Sequence, residues 1–321
     1  MTRVLAIDIG GTHIGCGLVA DRRLVACAEI AAHGAESLGD LLPAIAAQLQ
    51  ALLEQRGVAA NECTGIGIGF PGIVDTRDGT IHSTLKKYED APKLDLRGWA
   101  RTTFGLPLRI ENDARLALMG EQFAGAAYGS QNVVMMTFGT GIGTAAIMQG
   151  QLLRGAHAHA GCLGGHMAAK FDGRACHCGN IGCAEAEASG WSMPLVAREW
   201  PGFETSSLRA VENIGFRELF EHAATGDATA VAVRERCLRV WAANAVSQVH
   251  AYDPEIVVLG GGVMRSAEII VPFVQHYIEQ HSWSSWGKAR VKAAALGNEA
   301  ALFGALPLLM EEMHGTAVEL R

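Results

Sequence analysis

Two stretches of this chain share one layout. RVLAIDIGGTHIGCGLV, from Arg3 to Val19, and NVVMMTFGTGIGTAAIM, from Asn132 to Met148, each place a glycine-punctuated turn containing a Thr between two apolar runs. Each reads as a strand, a tight turn and an antiparallel strand. Such an internal repeat predicts a duplicated α/β unit with a ligand between the copies. Backbone N–H groups released at glycine turns form concavities that bind anions, so the implied ligand carries phosphates.

The chain has 321 residues, 49% of them hydrophobic, which is ample for two buried cores. Its formal net charge is −7, the wrong sign for a protein whose affinity comes from neutralising a nucleic-acid backbone. No nucleic-acid partner is expected. The first residues, MTRVLAIDIGG, lack the apolar core and cleavage site of a secretion signal. The longest apolar stretch, Ala300 to Met310, ends in Glu311 and Glu312, short of the roughly 20 residues that a membrane span needs. A cytoplasmic protein with no membrane partner is expected, and in a reducing compartment its eight cysteines read as metal ligands or reactive groups before disulfides.

Other segments refine the plan. GIGIGFPGIVD contains Gly67-x-Gly69-x-x-Gly72, but Pro71 and the following IVD do not open the helix that a dinucleotide fingerprint requires. No P-loop string occurs, so any ATP is held differently. From Asp227, a good N-cap, to Ala251 the apolar spacing is helical, and Pro254 then precedes the strand-like IVVLGGGV. Asn298 to His314 again reads as a helix despite Gly304 and Pro307, one able to pack back on the first domain.

Three groups of residues carry chemistry. His166 with Cys176, Cys178 and Cys183, on a short glycine-punctuated loop, makes a Cys₃His set suited to tetrahedral zinc; the alternative is a group of reduced, partly buried thiols. His157, His159 and His177 compete as the nitrogen ligand. Asp113, in IENDARLAL, follows a strand and precedes a helical pattern. Its default reading is an N-cap, and a general base for a hydroxyl nucleophile also belongs at such a strand-to-helix switch point; the two roles can coexist. Asp8 opens the first glycine turn, either as turn chemistry or to orient Mg²⁺ beside phosphates.

At these residues the chain resembles the ROK (repressor, ORF, kinase) family of the actin-like, hexokinase-like ATPase superfamily. The carriers are DIGGTH at Asp8 to His13, GFPGIVD at Gly69 to Asp75, ENDA at Glu111 to Ala114, FGTGIG at Phe138 to Gly143, CHCGNIGCAEAEASG at Cys176 to Gly190 and VVLGGGV at Val257 to Val263. The resemblance implies an α/β class, with a duplicated actin-like (ribonuclease H-like) two-domain ATPase fold and the active site in the interdomain cleft. The expected domains are residues 1–117 with a returning helix at 300–321, and residues 118–299 with the zinc-binding loop.

The resemblance further implies ATP-dependent phosphorylation of a sugar, with ATP, Mg²⁺ and a structural Zn²⁺. Gly10, Gly11 and Thr12, with Thr137, Gly139, Thr140 and Gly141, would hold the phosphates; Gly260, Gly261 and Gly262 would lie near the adenosine. Asp8 would assist Mg²⁺. Asp113 becomes the base, with Gly72, Thr84, Asn112, His166 and Glu185 on the sugar side. His166 is chosen as the zinc ligand on this resemblance alone. A homodimer is implied as well. DNA-binding members carry an added helix-turn-helix segment before the first strand, and the expectation here is the kinase.

The chain departs from the family string G-E-I-G-H, whose Glu accepts bonds from sugar hydroxyls. The string here is GCLGGH, with Leu163 at that position. A leucine accepts no hydrogen bond, so a site that discriminates through a hydroxyl pair loses selectivity, and glucose is not the expected default. Lys86 and Lys87, just after Thr84, are either solvated or placed to favour an acidic sugar.

Overall fold

The structure is a computed structural model that describes residues 2–32, 36–84, 87–285 and 287–315, with side chains in the last stretch as far as Glu311. It divides into two compact units: residues 1–129, 154–160 and 295–321 form the first, and residues 130–153 and 161–294 form the second.

In the first unit the chain runs through β1 (Arg3–Ile9), β2 (His13–Ala20), β3 (Arg23–Ala31), α1 (Leu42–Arg56), β4 (Ile66–Phe70), β5 (Ile73–Asp75), β6 (Thr80–Ser83), α2 (Leu96–Phe104), β7 (Leu108–Asn112) and α3 (Asp113–Ala124). The second unit contains β8 (Val133–Phe138), β9 (Ile142–Met148), β10 (Gln151–Leu152), α4 (Ala184–Ala188), α5 (Met193–Glu199), α6 (Phe216–Ala224), α7 (Ala228–Tyr252), β11 (Ile256–Gly260), α8 (Ala267–His281) and β12 (Arg290–Ala293). The last helix, α9 (Ala300–Gly315), belongs to the first unit.

The repeat expected from the glycine turns is realised as topology. One sheet has the order β3-β2-β1-β4-β7 and the other β10-β9-β8-β11-β12. In each, the glycine turn joins a central strand to an antiparallel neighbour, a third strand extends that antiparallel side, and the two strands on the other side are parallel to the central one. Strands β1, β4 and β11 are almost wholly buried, as expected for a parallel sheet covered on both faces.

Gly67-x-Gly69-x-x-Gly72 opens no helix: β4 runs into the short hairpin of β5 and β6, so Pro71 and IVD act as read from the sequence. Helix α7 begins where Asp227 caps it by accepting the Ala230 N–H at 2.8 Å. Helix α9 packs Leu302, Ala305, Leu306 and Leu309 on Val4, Ala6 and Val19. Its Gly304 lies against the Leu116 carbonyl of α3, and Gly120 of α3 against the Ala300 carbonyl, so neither position has room for a side chain. The glycine that weakens the helical pattern in the sequence is what lets two helices approach closely.

Two borders differ from expectation. A division at 117/118 would cut α3, whose hydrogen-bonded ladder continues to Ala124; the units divide at Gly129. Residues 154–160 join the first unit because arginines hold them there. Arg154 Nε donates to Glu111 at 2.7 Å and Arg154 Nη2 to Glu311 at 2.7 Å, while Arg115 Nη2 donates to the carbonyls of Ala158 at 3.1 Å and Ala160 at 2.5 Å. Among the described residues no helix is long and apolar enough to cross a membrane.

Candidate active site

The chemistry-bearing residues of the first unit gather at the C-terminal ends of its parallel strands, where α/β sheets bind ligands. Asp8 on β1 pairs with Gly69 on β4, and Gly69 in turn with Glu111 on β7. Gly69 lets these groups close in: a Cβ there would lie 3.1 Å from Asp8 Oδ1, tight enough to push that carboxylate aside, and 3.6 Å from the Asp113 Cα.

Asp113 is not the N-cap of α3. Asn112 is, accepting the Arg115 N–H at 3.2 Å, and Asp113 is the first helical residue. Asn112 Nδ2 donates to Asp113 Oδ1 and to the Gly72 carbonyl, both at 3.0 Å, and the Ala114 N–H donates to Asp113 Oδ1 at 2.8 Å. The carboxylate is thereby oriented. Burial raises the Asp113 carboxyl to about 6 against those hydrogen bonds, and burial followed by repulsion from Asp113 raises Asp8 to about 7. No Lys or Arg among the described residues stands as a partner to either carboxyl, so the pair has the chemistry of a site for a divalent cation.

Beneath them lies a group that the sequence did not disclose. Fully buried Glu111 accepts from Thr76 Oγ1 at 2.8 Å, from Arg154 at 2.7 Å and from Arg115 at 3.4 Å, fixing the β7–α3 corner. Gly72 abuts the Ser83 carbonyl, which brings half-buried Thr84 to the edge of this cluster. The Lys87 ammonium donates to the carbonyls of Gly11 and Ala32, so it is committed to the first glycine turn; Lys86 lies outside the described residues.

In the second unit, Glu185 on α4 accepts the Ile142 N–H at 2.9 Å and the Trp191 indole N–H at 3.4 Å, placing its carboxylate against Gly139–Gly141. A Cβ on Gly141 would lie 2.5 Å from Glu185 Oε2. Gly261 adopts φ +92°, and a Cβ there would lie 2.7 Å from the Phe138 N, so the Gly260–Gly262 turn abuts the start of the β8–β9 turn. Thr137 pairs with Gly260 across the sheet.

The Cys₃His set assembles. The ligand atoms of His166, Cys176, Cys178 and Cys183 all lie within 4.8 Å of one another. His166 Nδ1 is 3.5 Å from Cys176 Sγ, and Cys178 Sγ is 3.7 Å from Cys183 Sγ. A tetrahedron with Zn–S of about 2.3 Å and Zn–N of about 2.0–2.1 Å has S···N edges of about 3.6 Å and S···S edges of about 3.8 Å. The donor set fits that geometry and is far from the roughly 2.05 Å of a disulfide. Bridges between Ala168 and Cys183 and between Ala175 and Ile181 tie the loop. Of the competing histidines, His177 stacks on Trp191 with ring centroids 4.2 Å apart.

Leu163 precedes the Gly164–His166 turn and is exposed. That turn is held from α7 by Asn244 Nδ2, which donates to the Gly164 carbonyl at 3.0 Å, and by Thr144 Oγ1, which accepts the Gly164 N–H at 2.7 Å. A side chain at Gly164 would collide with the Gln248 amide. Nothing in the local spacing of Asn244 or Gln248 announces this role.

The ROK family model matches residues 4–312. The chain belongs to the ROK family. It is 30% identical over 323 residues to a glucokinase of Thermotoga maritima, covering 98% of this chain and 99% of that one. A ROK hexokinase from Thermus thermophilus superposes with a TM-score of 0.81 at 30% identity, over 98% of this chain and 99% of its own. A ROK glucokinase from Streptomyces griseus, solved with glucose and AMPPNP, superposes with a TM-score of 0.80 at 29% identity, over 96% and 99%. The doubled sheet described above is the actin-like ATPase fold of these ROK kinases.

Proposed function

We propose that this ROK protein transfers the γ-phosphoryl group of ATP to a hydroxyl of a hexose or hexose derivative, at a primary alcohol, with Asp113 as general base. The Asp113 carboxylate carries this reading. Two N–H donors orient it, burial raises it to about 6, and it stands at a strand-to-helix switch point beside a glycine turn. A base with that affinity for protons is ionised at neutral pH and still able to draw a proton from an attacking hydroxyl. ATP use agrees with the AMPPNP bound to the Streptomyces griseus relative.

In this reading Asn112 holds Asp113, and its remaining acceptor capacity, with Gly72, Thr84, His166 and Glu185, serves the sugar. Gly10–Thr12 and Gly139–Gly141, with Thr137, cradle the phosphates, and Gly260–Gly262 serve the nucleoside. Asp8 would hold Mg²⁺ through its waters; that ion supplies charge neutralisation on the phosphates. His166, Cys176, Cys178 and Cys183 would hold Zn²⁺, which leaves no open position for a water and so orders the loop. The homodimer rests on the family resemblance, and the cytoplasmic location on the absence of a secretion-signal pattern in MTRVLAIDIGG.

Leu163 argues for a sugar other than glucose, because a hydroxyl that the family's Glu would accept finds no acceptor there. Lys87 offers no selection for acidic sugars, since its ammonium is bonded to backbone carbonyls.

ADP formation across a panel of hexoses, amino sugars and ketoses tests the proposal, with Asp113→Asn as the control. Turnover of at least one sugar, lost in the variant, is expected. Sugar-dependent thermal stabilisation without ADP would make the chain a sugar sensor instead.

A further inference from the structure

The two glycine turns are copies in sequence, and in both the same two carbonyls are held. In the β8–β9 turn, the carbonyls of Gly139 and Thr140, the first two residues after β8, accept the backbone N–H groups of Gly190 at 2.9 Å and Trp191 at 3.0 Å. In the β1–β2 turn the equivalent carbonyls belong to Gly10 and Gly11, the first two residues after β1. Among the described residues no backbone donor arrives here. The Tyr88 hydroxyl donates to the Gly10 carbonyl at 2.9 Å, and the Lys87 ammonium donates to the Gly11 carbonyl and, at 3.2 Å, to that of Ala32.

A trans peptide points the carbonyl of one residue opposite to the N–H of the next. Holding the carbonyls of Gly10 and Gly11 therefore turns the N–H groups of Gly11 and Thr12 the other way. Neither N–H donates to a protein acceptor among the described residues. Two adjacent outward N–H groups form a concavity for an anion.

The brace is itself over-determined. Tyr88 is fully buried, packs on Phe70 with centroids 6.5 Å apart, and has φ +58°, a left-handed conformation that an aromatic residue adopts only when its surroundings compel it. The Lys87 ammonium lies 4.8 Å from the Tyr88 ring centroid, so the two donors also hold each other.

We propose that Lys87 and Tyr88 are positioning residues for the nucleotide phosphates. Their side chains do for the first turn what the backbone of Gly190 and Trp191 does for the second, and the inference rests on the reading that Gly10–Thr12 hold phosphate.

The test uses the full chain and AMPPNP as probe, by calorimetry, together with steady-state constants for ATP and sugar. Lys87→Met should weaken AMPPNP and raise the KM for ATP by about tenfold, with the sugar KM within about twofold, and Lys87→Arg should recover most of the loss. Tyr88→Phe, which keeps the buried ring, should weaken AMPPNP by about three- to fivefold and carries the test if Lys87→Met melts early. A Lys87→Met variant with altered sugar KM and unaltered AMPPNP affinity would move the ammonium to the sugar and overturn the proposal; so would folded variants of both residues with unchanged constants. Wild-type protein that binds no AMPPNP would instead remove the underlying reading of the turn.

Discussion

The β1–β2 and β8–β9 turns descend from one pattern and have different surroundings. The second is braced by backbone donors and by Glu185, and it stands on the unit that carries the Cys₃His loop. The first is braced by two long-range side chains and has Asp8 and Asp113 beside it, both raised by burial. The carbonyls of one copy are thus held by backbone that side-chain changes scarcely reach, and the other copy concentrates titratable groups at a cost in stability. In the proposed function the two similar turns serve as anion cradles, and Asp113 beside the first makes that one the place of proton transfer.

The sharpest way to break this contrast is Asp113→Asn. Turnover should fall by about 10³-fold, within the range of a lost general base, as measured by ADP release. The same change should raise the melting temperature by about 2–6 °C at pH 7.5, because asparagine keeps an acceptor and removes a carboxylate that burial disfavours. The sign follows from linkage. Folded-state values of about 6 for Asp113 and about 7 for Asp8 stand above the ordinary 3.8 of an aspartate, so the stability these groups contribute is present below about pH 4 and is lost as the pH rises through 6 and 7. Turnover runs the opposite way, falling at least about tenfold per unit below pH 6 and levelling off above about pH 7, once Asp8 is ionised as well. A wild-type rate unchanged between pH 5 and 7 would sink the assignment of Asp113.

The second-unit side of the comparison is sharpened by Cys183→Ser. Cys183 is fully buried, and its Sγ accompanies Cys178 Sγ at 3.7 Å. The change should lower zinc affinity by about 100-fold or more, read by metal content after dialysis, with Asp113 still titrating near 6 in the pH–rate profile. A smaller effect is expected for Gly190→Ala. Its Cβ would stand 2.6 Å from the Gly139 carbonyl that the Gly190 N–H holds, so the backbone brace itself must shift. AMPPNP binding should weaken by about tenfold and, unlike the Lys87→Met loss, no conservative side chain should restore it.

Much of this was legible in the sequence. Both glycine hairpins, the α7 helix with its Asp227 cap, the returning α9 and the Cys₃His spacing are encoded within a few residues, where periodicity, turn chemistry and ligand spacing act. Position by position, local pattern also singled out Asp113 and Asn112, but it reversed which of them caps α3, since both are good caps and only the strand's exit angle decides between them.

What tertiary structure alone decided are the long-range partners. Lys87 reaches a carbonyl 76 positions away, and Arg154 a carboxylate 43 positions away. A lysine's sequence neighbours say whether it is near a turn, not which carbonyl its flexible four-carbon stem will meet. Local pattern was enough for two glycine turns, a Cys₃His cluster and a carboxylate at a strand-to-helix switch point; the packed sheets set which groups brace the turns, which pair of acids burial forces together, and that Lys87 serves the backbone, because those outcomes depend on strands brought side by side from distant parts of the chain.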